Sequence, residues 1–201
     1  EHGMAAVMNG LALYGGLIPY GGTFLIFSDY CKPSIRLSAL MGLKVIYIFS
    51  HDSIGLGEDG PTHQPIEQLA GLRAIPNLNV FRPADINETL DCWQIALESN
   101  NTPSVIALSR QKVPYINPDN SKKNKCKNGA YMVKITSHES NVTLIASGTE
   151  VELALKVQDK LEENNIHSKV VSTPCMELFD RQSEKFRKDL IEDDSLVVTL
   201  E

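Results

Sequence analysis

The chain of 201 residues predicts an α/β protein made of two open, mainly parallel, three-layer α/β/α domains. Short runs rich in β-branched and aromatic residues, at 44–50, 103–108, 142–147 and 196–200, read as strands, the first two of them buried. They alternate with stretches of helical period, as at 85–98 and 150–163, and that alternation gives parallel sheets with right-handed crossovers. Between Val113 and Asn128 the periodicity dissolves into Pro114, Asn117, Pro118, Asp119 and a run of lysines, a linker composition. The expected division is therefore a first domain at 1–112, a linker at 113–128 and a second domain at 129–201.

In chain order, Met4, Val7, Met8 and Leu11 give residues 1–13 one apolar helical face, ended by Gly15 and Gly16. Phe24, Phe27 and Tyr30 recur every three residues, so a helix would array them along one side. Residues 34–41 read as an amphipathic helix in which Arg36 is structural, 44–50 as a buried strand and 77–83 as a short strand. Asp85 caps a helix to Glu98 whose Leu90, Trp93 and Leu97 face inward, and 103–108 is a further strand followed by Ser109-Arg110-Gln111. In the second domain, strands at 142–147, 168–172 and 196–200 enclose helices at 150–163 and 176–190. Ser147-Gly148-Thr149-Glu150 has the form of a phosphate-cradling helix start, a weak motif alone.

Nineteen basic and twenty-five acidic residues give a net charge of -6, which argues against nucleic acid and anionic membranes as partners. The lysines at 122–127 carry no interleaved aromatic residue and read as a solvated linker. No apolar run reaches the roughly eighteen residues of a membrane span, and the first residues lack a secretory signal, so a cytoplasmic location is expected. Cys31, Cys92, Cys126 and Cys175 lie far apart, without zinc spacing or an adjoining base, and are expected to be reduced thiols, Cys92 in the core. Glu1 begins directly on a helical pattern, and the strand at 196–200 is followed by no helix. Both domains are thus expected to be truncated, the chain being a piece of a longer polypeptide.

Chemistry concentrates in His51-Asp-Ser-Ile-Gly55-Leu-Gly57-Glu-Asp59-Gly60-Pro-Thr-His63-Gln-Pro65, directly after the strand at 44–50. The carboxyl end of a strand is where open α/β sheets bind ligands. Gly55, Gly57, Gly60 and Pro61 forbid a helix and let the backbone turn closely around something, while two imidazoles and several carboxylates project from it.

This stretch, continued by Ile66-Glu-Gln-Leu-Ala70, resembles the signature of the transketolases, thiamine-diphosphate enzymes of the pentose phosphate pathway. The Glu1-His-Gly-Met4 start and Ser109-Arg110-Gln111 are similar to that family as well. The resemblance implies transfer of a two-carbon ketol unit from a ketose phosphate to an aldose phosphate. It gives Glu1 a hydrogen bond to N1′ of the cofactor's aminopyrimidine, where a shared proton favours the imino tautomer. Without it, Glu1 is simply a carboxylate favoured at a helix start. It makes Phe24, Phe27 and Tyr30 an aromatic pocket, with Phe24 stacked on the pyrimidine; without it, core packing is the better reading. It places His51 toward the sugar phosphate, Asp59 on a substrate hydroxyl, His63 near the reacting carbon and Arg110 on the phosphate. For Arg110 the alternative is an interdomain ion pair.

A transketolase also carries an N-terminal domain that grips the diphosphate and Mg2+ (or Ca2+) through Gly-Asp-Gly, whereas this chain has Gly57-Glu58-Asp59-Gly60. The resemblance therefore implies a missing N-terminal diphosphate-binding domain, a homodimeric parent with sites between subunits, and a fragment that by itself is inactive and binds the cofactor weakly. Dihydroxyacetone synthase and deoxyxylulose-phosphate synthase use the same cofactor and remain alternatives, as does a non-catalytic dimerisation module.

Overall fold

The computed structural model describes residues 1–116, 124–137, 140–191 and 194–201. The middle of the expected linker lies outside the described residues. Contacts divide the chain into two compact units, Glu1–Phe81 with Cys92–Lys112, and Arg82–Asp91 with Val113–Glu201.

The first unit contains α1 (His2–Tyr14), β1 (Tyr20–Phe24), α2 (Ser28–Met41), β2 (Ile46–Ser50), α3 (Gln68–Arg73), β3 (Asn79–Phe81), the second half of α4 (Ile86–Glu98) and β4 (Ser104–Leu108). Its strands are all parallel, in the order β1-β2-β4-β3, so Phe24, Ser50 and Leu108 end on the same edge of the sheet. A core of Leu25, Ile35, Val45, Tyr47, Phe49, Leu72, Val80 and Val105 joins the helices to this sheet.

A polar cluster crosses that core. Ser38 Oγ donates to Asn9 Oδ1 at 2.5 Å and lies 2.7 Å from the Tyr47 hydroxyl, while Asn9 Nδ2 donates to the Ser34 carbonyl at 2.9 Å. It ties α1 to α2 and β2, and burial pushes the Tyr47 phenol up to about 12. Asn9→Ala should cost about 1–3 kcal/mol, because buried hydroxyls lose their acceptor. Urea unfolding checks this, and an unshifted midpoint would contradict it.

Three expected elements are corrected here. In α1 the buried residues are Ala5, Met8 and Asn9, whereas Val7 and Leu11 face out. In α4 the inward stripe is Glu88, Cys92, Ile95 and Ala96, with Leu90 and Leu97 exposed and Trp93 half-buried, its ring edge-on to Tyr20 at 5.9 Å. The helix turns a smaller, partly polar stripe inward, so counting large apolar residues picked the neighbouring face. Third, α2 starts at Ser28 and carries Pro33 inside it, where the sequence suggested a boundary.

The second unit holds β5 (Tyr131–Ile135), β6 (Val142–Ala146), α5 (Glu150–Glu163), β7 (Ser168–Ser172), α6 (Met176–Asp180), α7 (Glu184–Leu190) and β8 (Leu196–Leu200). Strand order is β5-β7-β6-β8, parallel except for β5 against β7. β5 had no clear signal, because in its five residues only Lys134 is charged and exposed Met132 is apolar, so no apolar-polar alternation shows. The helix expected at 176–190 is two, broken before Ser183, whose hydroxyl accepts from the Phe186 N–H and starts α7. Ala84, Leu144, Ala146, Val151, Ala154 and Val170 form the core.

Candidate active site

Candidate side chains of the first unit gather where β1, β2 and β4 end. β1 stops at Phe24, a single 3-10 turn covers Leu25–Phe27, and α2 begins at Ser28. The sequence spacing suggested one continuous helix through the three aromatic residues. A 3-10 turn has three residues per turn, so Phe24 and Phe27 fall on one side of it and Tyr30 follows in the first turn of α2. Their rings form a row, with centroids 6.2 and 6.0 Å apart and planes inclined by 19° and 14°. Leu25 points the other way and is fully buried.

Two imidazoles join this row. His51 follows β2 with φ 60, a left-handed conformation uncommon outside glycine and one that clusters at functional sites. Its ring stacks on Phe24 at 3.8 Å, and its Nδ1 is 2.9 Å from the Ser50 hydroxyl. His63 stands edge-on to Phe27 at 5.4 Å and to Phe24 at 6.5 Å. Its Nδ1 lies 2.8 Å from the Thr62 hydroxyl, and its N–H closes a turn on the Gly60 carbonyl at 3.0 Å.

Glu1 is the cap residue of α1 and is exposed, its backbone carbonyl accepting from the Ala5 N–H. Thr23, the residue before Phe24, donates its hydroxyl to Glu1 Oε1 at 3.1 Å. The Cys31 thiol donates to the Glu1 carbonyl oxygen at 3.6 Å, and the His2 ring is 5.5 Å from that of Tyr30. The carboxylate therefore stands beside the aromatic row. Burial pushes Cys31 up to about 11, which keeps it a thiol.

Arg110 lies just beyond β4 with its guanidinium over Gly57 of the loop, 3.6 Å from where a Cβ there would stand. Asp59 is exposed and, among the described residues, makes no hydrogen bond or ion pair. The loop's far end is tied by Gln68, 3 % exposed, which accepts from the Ile66 N–H at 2.9 Å and donates to Asp29 Oδ2 at 3.0 Å. Asp29 precedes Tyr30, so one side chain fixes both the loop and the row. Neither Gln68 nor Thr23 was singled out from the sequence, since an amide or hydroxyl among polar neighbours carries no distinguishing period.

The arrangement suits a flat heteroaromatic ring against the aromatic row beside a carboxylate, with two imidazoles and a guanidinium able to donate to phosphate and hydroxyl oxygens. Among the described residues no three His, Cys, Asp or Glu side chains gather as a metal site. In the second unit, the Ser147-Gly148-Thr149 turn is filled by protein. The Arg82 guanidinium donates to the Ser147 carbonyl at 3.2 Å and pairs with Glu150 at 2.5 Å. No described helix is long and apolar enough to cross a membrane.

The family model described as "Transketolase, pyrimidine binding domain" matches residues 1–115, and "Transketolase-like TK C-terminal domain" matches residues 129–201. The transketolase of Sinorhizobium medicae is 57% identical over 194 residues, which are 96% of this chain and 28% of that protein. The transketolase of Pichia stipitis in complex with sedoheptulose 7-phosphate superposes with a TM-score of 0.94 at 43% identity, covering 100% of this chain and 29% of that one. A split-gene transketolase described as an inactive beta4 tetramer gives a TM-score of 0.81 at 29% identity, covering 99% of this chain and 62% of that one. The chain thus spans under a third of the length of its curated relatives. From the loop at the ends of the parallel strands to the matches over both units, these findings place the chain in the transketolase family.

Proposed function

We propose that the chain is the pyrimidine-binding and C-terminal part of a transketolase, which transfers a two-carbon ketol unit from a ketose phosphate to an aldose phosphate in the pentose phosphate pathway. The observation that carries this is the convergence of Glu1, the Phe24-Phe27-Tyr30 row and the His51–His63 loop at one sheet edge. Thiamine diphosphate, when bound, supplies a nucleophilic carbon able to break the bond beside a ketone carbonyl. Glu1 shares a proton with a ring nitrogen of its aminopyrimidine. Phe24, Phe27 and Tyr30 would line the place of that ring and shield it from water. His51 and Arg110 donate to the sugar phosphate, Asp59 accepts from a substrate hydroxyl, and His63 donates near the reacting carbonyl.

The diphosphate and its Mg2+ or Ca2+ are left to the N-terminal domain of the longer parent, a cytoplasmic homodimer whose subunits complete each other's sites. The aromatic row and Glu1 match only the uncharged end of the cofactor. The solved beta4 tetramer named inactive supports the reading that this part is inactive alone. Calorimetric titration with thiamine diphosphate and magnesium, without and with a separately made N-terminal half, tests the whole reading. Binding and ketol transfer only in the mixture are expected, and tight binding to the chain alone would overturn the division of labour. In the mixture, Arg110→Ala should raise KM for phosphorylated sugars about tenfold or more while sparing unphosphorylated ones. Equal losses for both would give Arg110 a structural role.

A further inference from the structure

We propose that Gln111 is a positioning residue for the loop, seated over Gly55 so that the first turn of the loop, and with it Asp59, is held against the end of β4. The proposal rests on the reading above for its catalytic meaning, but not for its geometry. The turn is the 3-10 segment Ile54–Leu56, opened by Ser53, whose hydroxyl accepts from the Gly55 N–H at 3.2 Å. Leu56 is buried beneath it. On the upper side a Cβ added at Gly55 would overlap Nε2 of Gln111 and stand 2.9 Å from its Cδ. The side-chain amide of Gln111 therefore rests directly on the glycine backbone, in space that any other residue at 55 would take.

The next contact repeats the arrangement. Gly57 adopts φ 108 and ψ -132, which L side chains rarely reach, and Arg110 lies over it. Consecutive residues after β4 thus cover the first two glycines of the loop, Gly55 and Gly57, with Leu56 anchored below. The Ser109 hydroxyl donates to the Gln111 carbonyl at 3.2 Å, which fixes the backbone from which the amide reaches. Gln64 Nε2 donates to the Ile54 carbonyl at 3.4 Å and closes the returning arm of the loop on the same turn. Asp59, exposed two residues after Gly57, has no bond of its own among the described residues, so its placement depends on this grip.

Amide hydrogen exchange on this chain alone decides the proposal. Gln111→Ala should speed exchange at residues 54–59 about tenfold while leaving β2 and β4 unchanged. Gly55→Ala should do the same, because its methyl displaces the flexible end of Gln111, and the double variant should add nothing further, since both remove one contact. Unchanged exchange in Gln111→Ala, or additive effects in the double variant, would overturn it. In the mixture with the N-terminal half, Gln111→Ala should raise KM severalfold with kcat nearly kept, the signature of lost uniform binding. A large fall in kcat with KM unchanged would instead contradict a positioning role. Should the unmodified mixture show no ketol transfer, the functional reading fails while the exchange result still judges the contact.

Discussion

Glu1→Gln in the mixture with the N-terminal half should slow hydrogen-deuterium exchange at the thiazolium carbon of thiamine diphosphate by about 10²–10⁴-fold, the scale of losing a positioned proton-transfer group. The amide keeps the size of the carboxylate and can still accept from Thr23, so the fold around α1 is retained. What it cannot do is share a proton with a ring nitrogen. Thr23 occupies one oxygen of the carboxylate, and the side chain is exposed beside the aromatic row, which leaves the second oxygen available to a ring seated there. Exchange measured by NMR, with cofactor affinity measured separately, distinguishes this from weakened binding. An unchanged exchange rate at full occupancy would remove Glu1 from the chemistry and return it to a helix-start carboxylate.

The second large effect lies away from this site. Glu88, 3 % exposed in the first turn of α4, accepts from the Ser172 hydroxyl at 2.5 Å, the Ala84 N–H at 2.7 Å and the Tyr131 hydroxyl at 2.9 Å. Burial pushes its carboxyl from 4.5 to about 7; the three donors oppose the shift without cancelling it, and Asp85 adds to it. Burial and the neighbouring Glu88 also raise the Tyr131 phenol, so that hydroxyl stays protonated and able to donate.

A carboxyl that holds its proton more tightly when folded stabilises the fold fully below its unfolded pKa, and that contribution is lost as pH rises through the folded one. The window here is pH 4.5 to about 7, and the stabilisation lost across it is about 3 kcal/mol. Glu88→Gln mimics the neutral form, and its Nε can donate to the hydroxyls while Oε accepts from Ala84. The difference in unfolding free energy between wild type and variant should therefore be near zero at pH 4 and favour the variant by about 3 kcal/mol at pH 8. Chemical denaturation across this range measures it, and parallel curves would show that Glu88 does not titrate in the window.

The sequence made the fold class legible because strand runs and helical periods are local properties, and the strands at 44–50, 103–108, 142–147 and 168–172 all recur in the structure. The loop from His51 to Pro65 was equally legible, since glycines, imidazoles and carboxylates in one order after a strand need no tertiary contact to be noticed. Faces were harder. Val7, Leu90 and Leu97 are large and apolar yet exposed, while Asn9, Gln68 and Glu88 are polar and buried. Hydrophobic counting cannot see a partner that arrives from twenty or more residues away, such as Ser38 for Asn9, Asp29 for Gln68 or Ser172 for Glu88.

By itself, then, the sequence determined two mainly parallel α/β units, the chemistry-bearing loop and the residue types available to a ligand. Only the tertiary structure decided that Phe24, Phe27 and Tyr30 align through a strand end and a 3-10 turn, that His51 lies on Phe24, and that Gln111 rests on Gly55. Side-chain pattern is written along the chain, whereas these contacts depend on strand order and on the packing that brings distant strand ends to one edge.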